Sequence, residues 1–182
     1  METSLLYPVT NDQRTDQKLD GLWQFKFDEA GEGEKSGWET GFHDGVSMPV
    51  PASFNDFFTD KASREYTGDF WYSRNFFVPS AAKGKALFLR FDAVTHRATI
   101  FVNGKEIRTH EGGFLPFAAD TCWRKIGLTR NMRIRITACD SSKTACCWLP
   151  ARSRSISSLS GIHAPIRIAM WTSRDWSRFW KN

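Results

Sequence analysis

No stretch of this 182-residue chain approaches the roughly 18 uninterrupted apolar residues a membrane-spanning helix requires. Cysteine is scarce. The four residues Cys122, Cys139, Cys146 and Cys147 contain no C-x2-C pair, and the adjacent Cys146 and Cys147 suit neither a disulfide nor a zinc knuckle. The first ten residues, Met1 to Thr10, lack a basic stretch followed by an apolar one, so a secretory leader is not evident. A cytoplasmic setting with reduced thiols is the resulting expectation. No Gly-rich phosphate loop follows a strand, and no G-x-S-x-G elbow is present. Length excludes one further architecture, because a (β/α)8 barrel takes about 250 residues by itself.

Acidic residues are nearly missing from the last third. Met1 to Asp120 carries 13 Lys+Arg against 18 Asp+Glu, whereas Thr121 to Asn182 carries 12 against 2, Asp140 and Asp175. The net charge of +5 is therefore the sum of −5 and +10. Glu111 is the last glutamate, and five of the eight tryptophans follow Asp120. Three readings of this break remain open: a nucleic-acid-binding tail, a basic face of a folded domain, and text read partly out of frame. The first is the least favoured, since the cations form no stripe and no binding motif accompanies them.

What is present is an ordinary globular composition, 41% hydrophobic and 14% aromatic, rich enough to build a core without disulfides or metals. Helical periodicity is almost absent and period-2 alternation recurs. Leu22 to Phe27 sets Trp23, Phe25 and Phe27 against Gln24 and Lys26. Trp71 to Val78 is a second strand, ended by Pro79. Ala86 to Phe91 aligns Leu87, Leu89 and Phe91, and Ala98 to Val102 runs through Asn103-Gly104 into Lys105 to Thr109, a hairpin signal. In the basic third, Arg133 to Thr137 and Pro165 to Trp171 alternate cleanly, as out-of-frame text rarely does. Asp28 to Gly37 and Met48 to Asp60 read as loops. Six or more short strands without interleaved helices predict an all-β, antiparallel sandwich.

Chemistry-bearing residues are sparse. Sugar hydrolysis needs two carboxyls facing each other, and no such pair is legible: Asp69, Asp92 and Glu111 sit close to turns and read as turn or capping residues. His96 and His110 are too far apart, and too few, for a zinc site. No metal and no cofactor is expected. Trp38, Phe42, Phe57 and Phe58 lie in loop-like segments, where they either cover sheet edges or present rings to a ligand.

Several motifs in order nevertheless resemble family 2 glycoside hydrolases, and within them the β-glucuronidase branch. They are Leu19-Asp20-Gly21-Leu22-Trp23, Val50-Pro51-Ala52-Ser53-Phe54-Asn55-Asp56, Tyr66-Thr67-Gly68-Asp69-Phe70-Trp71-Tyr72, Arg90 to His96, Val102-Asn103-Gly104, and His110 to Phe117. The resemblance covers roughly Leu5 to Asp120. It implies a jelly-roll, galactose-binding-domain-like β-sandwich across residues 1–182, the sugar-binding N-terminal domain of a longer hydrolase. In such enzymes an immunoglobulin-like domain and a barrel follow, with an acid/base glutamate in N-E-P and a nucleophile in a T-E-Y-G-like string. Neither string occurs in these 182 residues, so a fragment without turnover of its own is expected.

Beyond Asp120 the resemblance is confined to Ser160-Gly161-Ile162-His163 and Pro165-Ile166, similar to the strand that closes this domain. The D-F-F-N-Y that precedes it in the family reads Ser155-Ile156-Ser157-Ser158-Leu159 here. Ser155 thus stands where the family's sugar-contacting aspartate stands, able to donate a hydrogen bond but uncharged. Local frameshifts or a decayed gene would account for the mixture, and reading the coding DNA in three frames tests that. The partner implied is a β-glucuronide-like carbohydrate in the full-length parent, with homo-oligomerisation an open matter and no membrane or nucleic acid. Two rival functions are a free-standing carbohydrate-binding module and a basic segment that binds anionic partners through Thr121 to Asn182.

Overall fold

The computed structural model describes residues 14–82, 85–112, 115–121, 131–139, 161–162 and 166–171. The motif at 19–23 shows why the chain turns into its first long strand. Leu19 is buried, and its carbonyl accepts the Trp23 indole N–H at 2.9 Å and the Arg74 Nη1 at 2.7 Å. Arg74 Nη1 also reaches the Asp20 carbonyl at 3.0 Å. Gly21 takes φ of 128°, a conformation side chains avoid, and a Cβ there would stand 3.2 Å from the Arg74 guanidinium. From this turn β2 (Gly21–Asp28) departs with Trp23 and Phe25 buried and Leu22 and Gln24 exposed, the alternation expected of a half-buried strand.

The other strands are β1 (Arg14–Lys18), β3 (Val46–Val50), β4 (Ala52–Ser53), β5 (Asp69–Phe77), β6 (Ala86–Phe91), β7 (Arg97–Val102), β8 (Lys105–Glu111), β9 (Phe117–Asp120), β10 (Asn131–Cys139), β11 (Gly161–Ile162) and β12 (Ile166–Trp171). A four-stranded sheet has the order β1-β12-β6-β9, a six-stranded sheet β3-β2-β5-β10-β7-β8, and a small ribbon joins β11 to β4. Among the described residues every pairing is antiparallel. Inward side chains of both sheets form one cluster: Trp23, Phe25, Phe70, Tyr72 and Ile100 meet Leu87, Leu89, Phe91 and Phe117. The architecture is the antiparallel β-sandwich expected from the alternation.

Both clean islands of the basic third become strands at interior places. β10 lies between β5 and β7, with Ile136 fully buried opposite Ile100. β12 lies between β1 and β6. The hairpin prediction also holds, with Asn103 at φ 51° and Gly104 at φ 77° linking β7 to β8. Met48–Asp60, read above as a loop, needs correction. It holds the end of β3, all of β4 and the one-turn helix α1 (Phe54–Phe57), and a second one-turn helix α2 (Lys61–Arg64) follows directly. Four residues are too few to show a helical period, and Pro49 argues against a strand except at a sheet edge, which is where β3 lies. No described helix is long and apolar enough to cross a membrane.

The outer face of the six-stranded sheet carries a second aromatic layer. Trp71, one residue out of phase with Phe70 and Tyr72, points away from the sandwich core yet is only 1% exposed. Residues 29–45 fold over it, placing Trp38 edge-on at 6.1 Å, while Phe101 stacks on it at 5.7 Å. The cover is anchored by Asp28. Its Oδ2 accepts the Gly33 backbone N–H at 2.8 Å and the Trp71 indole N–H at 3.1 Å, and its Oδ1 accepts the Glu32 backbone N–H at 2.9 Å. Gly33 leaves no room for a side chain, since a Cβ would lie 2.4 Å from Trp71 Nε1 and 2.5 Å from Asp28 Oδ2.

Candidate functional site

The two halves of the sequence resemblance meet at one end of the sandwich. The backbone of Gly161–Ile162 pairs with Ala52–Ser53, bringing the closing-strand motif onto the 50–56 motif. Ser155 lies outside the described residues, six positions before this ribbon begins. What the site offers is therefore read from the segment that receives it, residues 50–69.

This segment is pinned by local polar bonds. Ser53 caps α1, accepting the Asn55 backbone N–H at 3.3 Å and donating its hydroxyl to Asn55 Oδ1 at 2.8 Å. The Asn55 amide donates to the Arg64 carbonyl, and Arg64 Nε donates back to the Asn55 carbonyl at 3.1 Å. The two short helices are thus clasped together. Phe54, fully buried, drives the segment into the core, where it meets Phe70 at 5.2 Å and Phe27 at 5.4 Å. Tyr66 closes the far side, 4.5 Å from Phe27, with its hydroxyl donating to the Asp69 carbonyl at 3.0 Å.

Asp60 caps α2, its Oδ2 accepting the Ser63 N–H at 2.7 Å. That backbone bond, joined by the Ser63 side chain, holds the carboxyl below its ordinary value of 3.8. Because the folded value is depressed, the cap's contribution is present above the unfolded carboxylate range and lost as pH falls through the folded value. A carboxyl NMR titration is expected to place the Asp60 midpoint below those of solvated aspartates. Changing Ser63 to Ala should bring it only part of the way back, because the backbone N–H remains.

The other residues singled out above are dispersed. Asp69 opens β5 and Glu111 ends β8, so both are strand ends, while Asp92 follows β6 and accepts Arg90 Nε at 2.7 Å in a largely buried ion pair. The three stand on different elements. The carboxyl that sequence reasoning missed is Asp28, register partner of Asp69 and almost completely buried. Its three N–H donors make it an anchor for the cover. The signal for it was the Asp-Glu-Ala-Gly-Glu-Gly run, in which a side-chain acceptor precedes a glycine-rich turn.

His96 and His110 flank the same edge of the β7–β8 hairpin, where the His96 carbonyl accepts the Gly112 N–H at 2.7 Å. The His110 ring stacks on Phe117 at 3.9 Å. Among the described residues no three His, Cys, Asp or Glu side chains gather as a metal site. Of the loop aromatics, Trp38 and Phe42 belong to the cover, 5.9 Å apart, with Lys26 Nζ 4.2 Å above the Trp38 ring. Phe58 packs against the core and Phe57 is 44% exposed.

Residues 17–139 match the profile of the family described as glycosyl hydrolases family 2, sugar binding domain. The chain is 40% identical over 117 residues to a β-glucuronidase of Paenibacillus borealis, covering 64% of this chain and 20% of that one. It is 35% identical over 133 residues to the human β-glucuronidase, covering 66% and 20%. Among solved structures, Lactobacillus rhamnosus β-glucuronidase superposes with a TM-score of 0.81 at 67% identity, covering 93% of this chain and 30% of that one. Ruminococcus gnavus β-glucuronidase in complex with D-glucuronic acid superposes with a TM-score of 0.82 at 37% identity, covering 94% and 32%. The chain spans about 20% of the length of the curated relatives it matches.

Proposed function

Because this chain belongs to the sugar-binding domain family of family 2 glycosyl hydrolases, we propose that it serves as the non-catalytic sandwich of a β-glucuronidase-type enzyme and hydrolyses no glycoside alone. The observation that carries this reading is the match at 67% identity to a β-glucuronidase of which this chain covers 30%. The chemistry agrees with it. A retaining glycosidase needs two carboxyls about 5 Å apart across the scissile bond, one to protonate the leaving oxygen and one to attack the sugar. Asp92 is committed to Arg90 and Asp28 to three N–H donors. No glutamate follows Glu111 in these 182 residues.

The role left to the sandwich is positional. Its 50–69 end, stiffened by the Ser53, Asn55 and Arg64 bonds, holds the β4–β11 ribbon in place. In this reading Ser155 serves the substrate as a neutral hydrogen-bond donor, and carbohydrate is the partner of the assembled enzyme. Incubating the purified chain with an aryl β-glucuronide is expected to release aryl alcohol no faster than buffer does. Turnover above that blank, proportional to protein concentration, overturns the proposal.

A further inference from the structure

A second place on the molecule has the make-up of a carbohydrate site, and it lies on the opposite side of the six-stranded sheet from the sandwich core. Residues 41–43 of the cover form one wall of an open basin of about 440 Å³, a size within the range of small-molecule sites. Its polar groups are Gln24, Ser73, Asn75, His43 and Arg74, and its apolar ones are the Phe42 ring and the exposed Leu22. The strands fix this set by register. Gln24 of β2 is directly opposite Ser73 of β5, and both alternate with core residues, so they point outward together.

Gly45 shapes the wall. A Cβ there would lie 2.9 Å from the Phe42 ring and 3.2 Å from Gln24 Oε1. Its absence lets the ring and the amide approach one another. The Gln24 amide nitrogen is 3.4 Å from Ser47 Oγ, a long and exposed contact that a better acceptor can replace.

Charge narrows the ligand class. No carboxylate and no lysine lines the basin. Arg74 also lines it, but its guanidinium lies 5.8 Å over the Trp23 ring and bonds the Leu19 and Asp20 carbonyls on the other side of the sheet. Amides and a hydroxyl beside an aromatic ring suit a ligand with an apolar C–H face and a rim of neighbouring hydroxyls, each of which both donates and accepts. We propose that the Gln24–Phe42–Asn75 basin is a binding site for an uncharged pyranoside. The choice of a sugar over other neutral polyols rests on the family reading above; the site itself rests on the geometry.

The test is a titration of the isotopically labelled chain with methyl β-D-glucopyranoside, followed by the side-chain amide signals of Gln24 and Asn75. Saturable shifts with a Kd on the order of millimolar are expected for so open a site. In the double variant Gln24→Ala and Asn75→Ala, at exposed positions, the affinity should drop at least about tenfold, the loss of two neutral hydrogen bonds, while the melting temperature stays within roughly 2 °C. Should that variant be less stable, His43→Ala, also exposed, is expected to weaken binding by about threefold.

Sodium glucuronate should bind no more tightly than the neutral glycoside; tighter binding overturns the uncharged assignment. Shifts that never saturate, or variants that bind like the parent, overturn the site. A failed titration leaves the expected lack of aryl glucuronide turnover standing, so the two proposals fail separately.

Discussion

Replacing Asp28 with alanine is expected to lower stability by about 4 kcal/mol, roughly 8–16 °C in melting temperature for a chain of this size. Three donors lose their acceptor. The Glu32 N–H is near solvent and can turn to water, but the Gly33 N–H and the Trp71 indole N–H are buried. Each buried donor left unpaired costs about 1–3 kcal/mol, and the cavity left by the carboxylate adds to this. Relief of the desolvation of a buried charge offsets part of the total.

Asparagine at the same position separates these terms. Its carbonyl can occupy the Oδ2 place and keep both buried donors, losing only the bond from Glu32, so about 1 kcal/mol is expected. Urea denaturation of the two variants measures the difference. Hydrogen exchange should show residues 29–45 opening in the alanine variant before either sheet does, because the Asp28 carboxylate ties the cover to the sheet beside the rings above Trp71.

Truncating Phe25 to alanine is expected to cost a similar amount, about 3–5 kcal/mol, by a different mechanism. The ring sits amid five others: Phe27 at 4.8 Å, Tyr72 at 5.0 Å, Phe54 at 5.8 Å, and Phe58 and Phe70 at 5.9 Å. Two of these pairs, with Phe27 and Tyr72, are edge-on, worth up to about 1.5 kcal/mol each beyond burial. Strands on both sides limit the collapse of the resulting cavity. The loss should also spread to the β4–β11 ribbon, since Phe54 and Phe58 hold that end against Phe25. Phe57 provides the contrast. Being 44% exposed, it should tolerate alanine within about 0.5 kcal/mol. Equal effects of the two substitutions would refute the aromatic cluster as the source of rigidity at this end.

The strands were legible where one face is core and the other is water. Ala86–Phe91 matches β6 residue for residue, and the alternations at 22–27, 71–78 and 133–137 fall inside or nearly inside β2, β5 and β10. Where only one edge pairs, the pattern fades. β1 reads Arg-Thr-Asp-Gln-Lys, with no apolar side chain at all, and its order comes from pairing with β12. Trp71 looked like one more aromatic in a strand; that a separate layer buries its outer face depends on Asp28 and Gly33, 43 and 38 positions away along the chain.

The candidate site was half legible. Motif order brought residues 50–56 and 160–166 under one family resemblance, and the backbone joins them. The basin on the outer face was not legible. Gln24, Phe42 and Asn75 are far apart in sequence, and only strand register and the path of the cover make them neighbours. Of the loop aromatics that the sequence offers as ligand platforms, Trp38 is taken up by Lys26 and Trp71, and Phe42 lines the basin.

The place of β10 between β5 and β7 bears on how the polypeptide emerges during synthesis. A nascent chain that has exposed only its first 120 residues holds β5 and β7 before the strand that lies between them has been made. Such long-range closure is slow and leaves hydrogen-bonding edges open meanwhile. Any partner that shields β5 or β7 on the ribosome would therefore act on yield, and a break in translation before Asn131 would release a product prone to self-association.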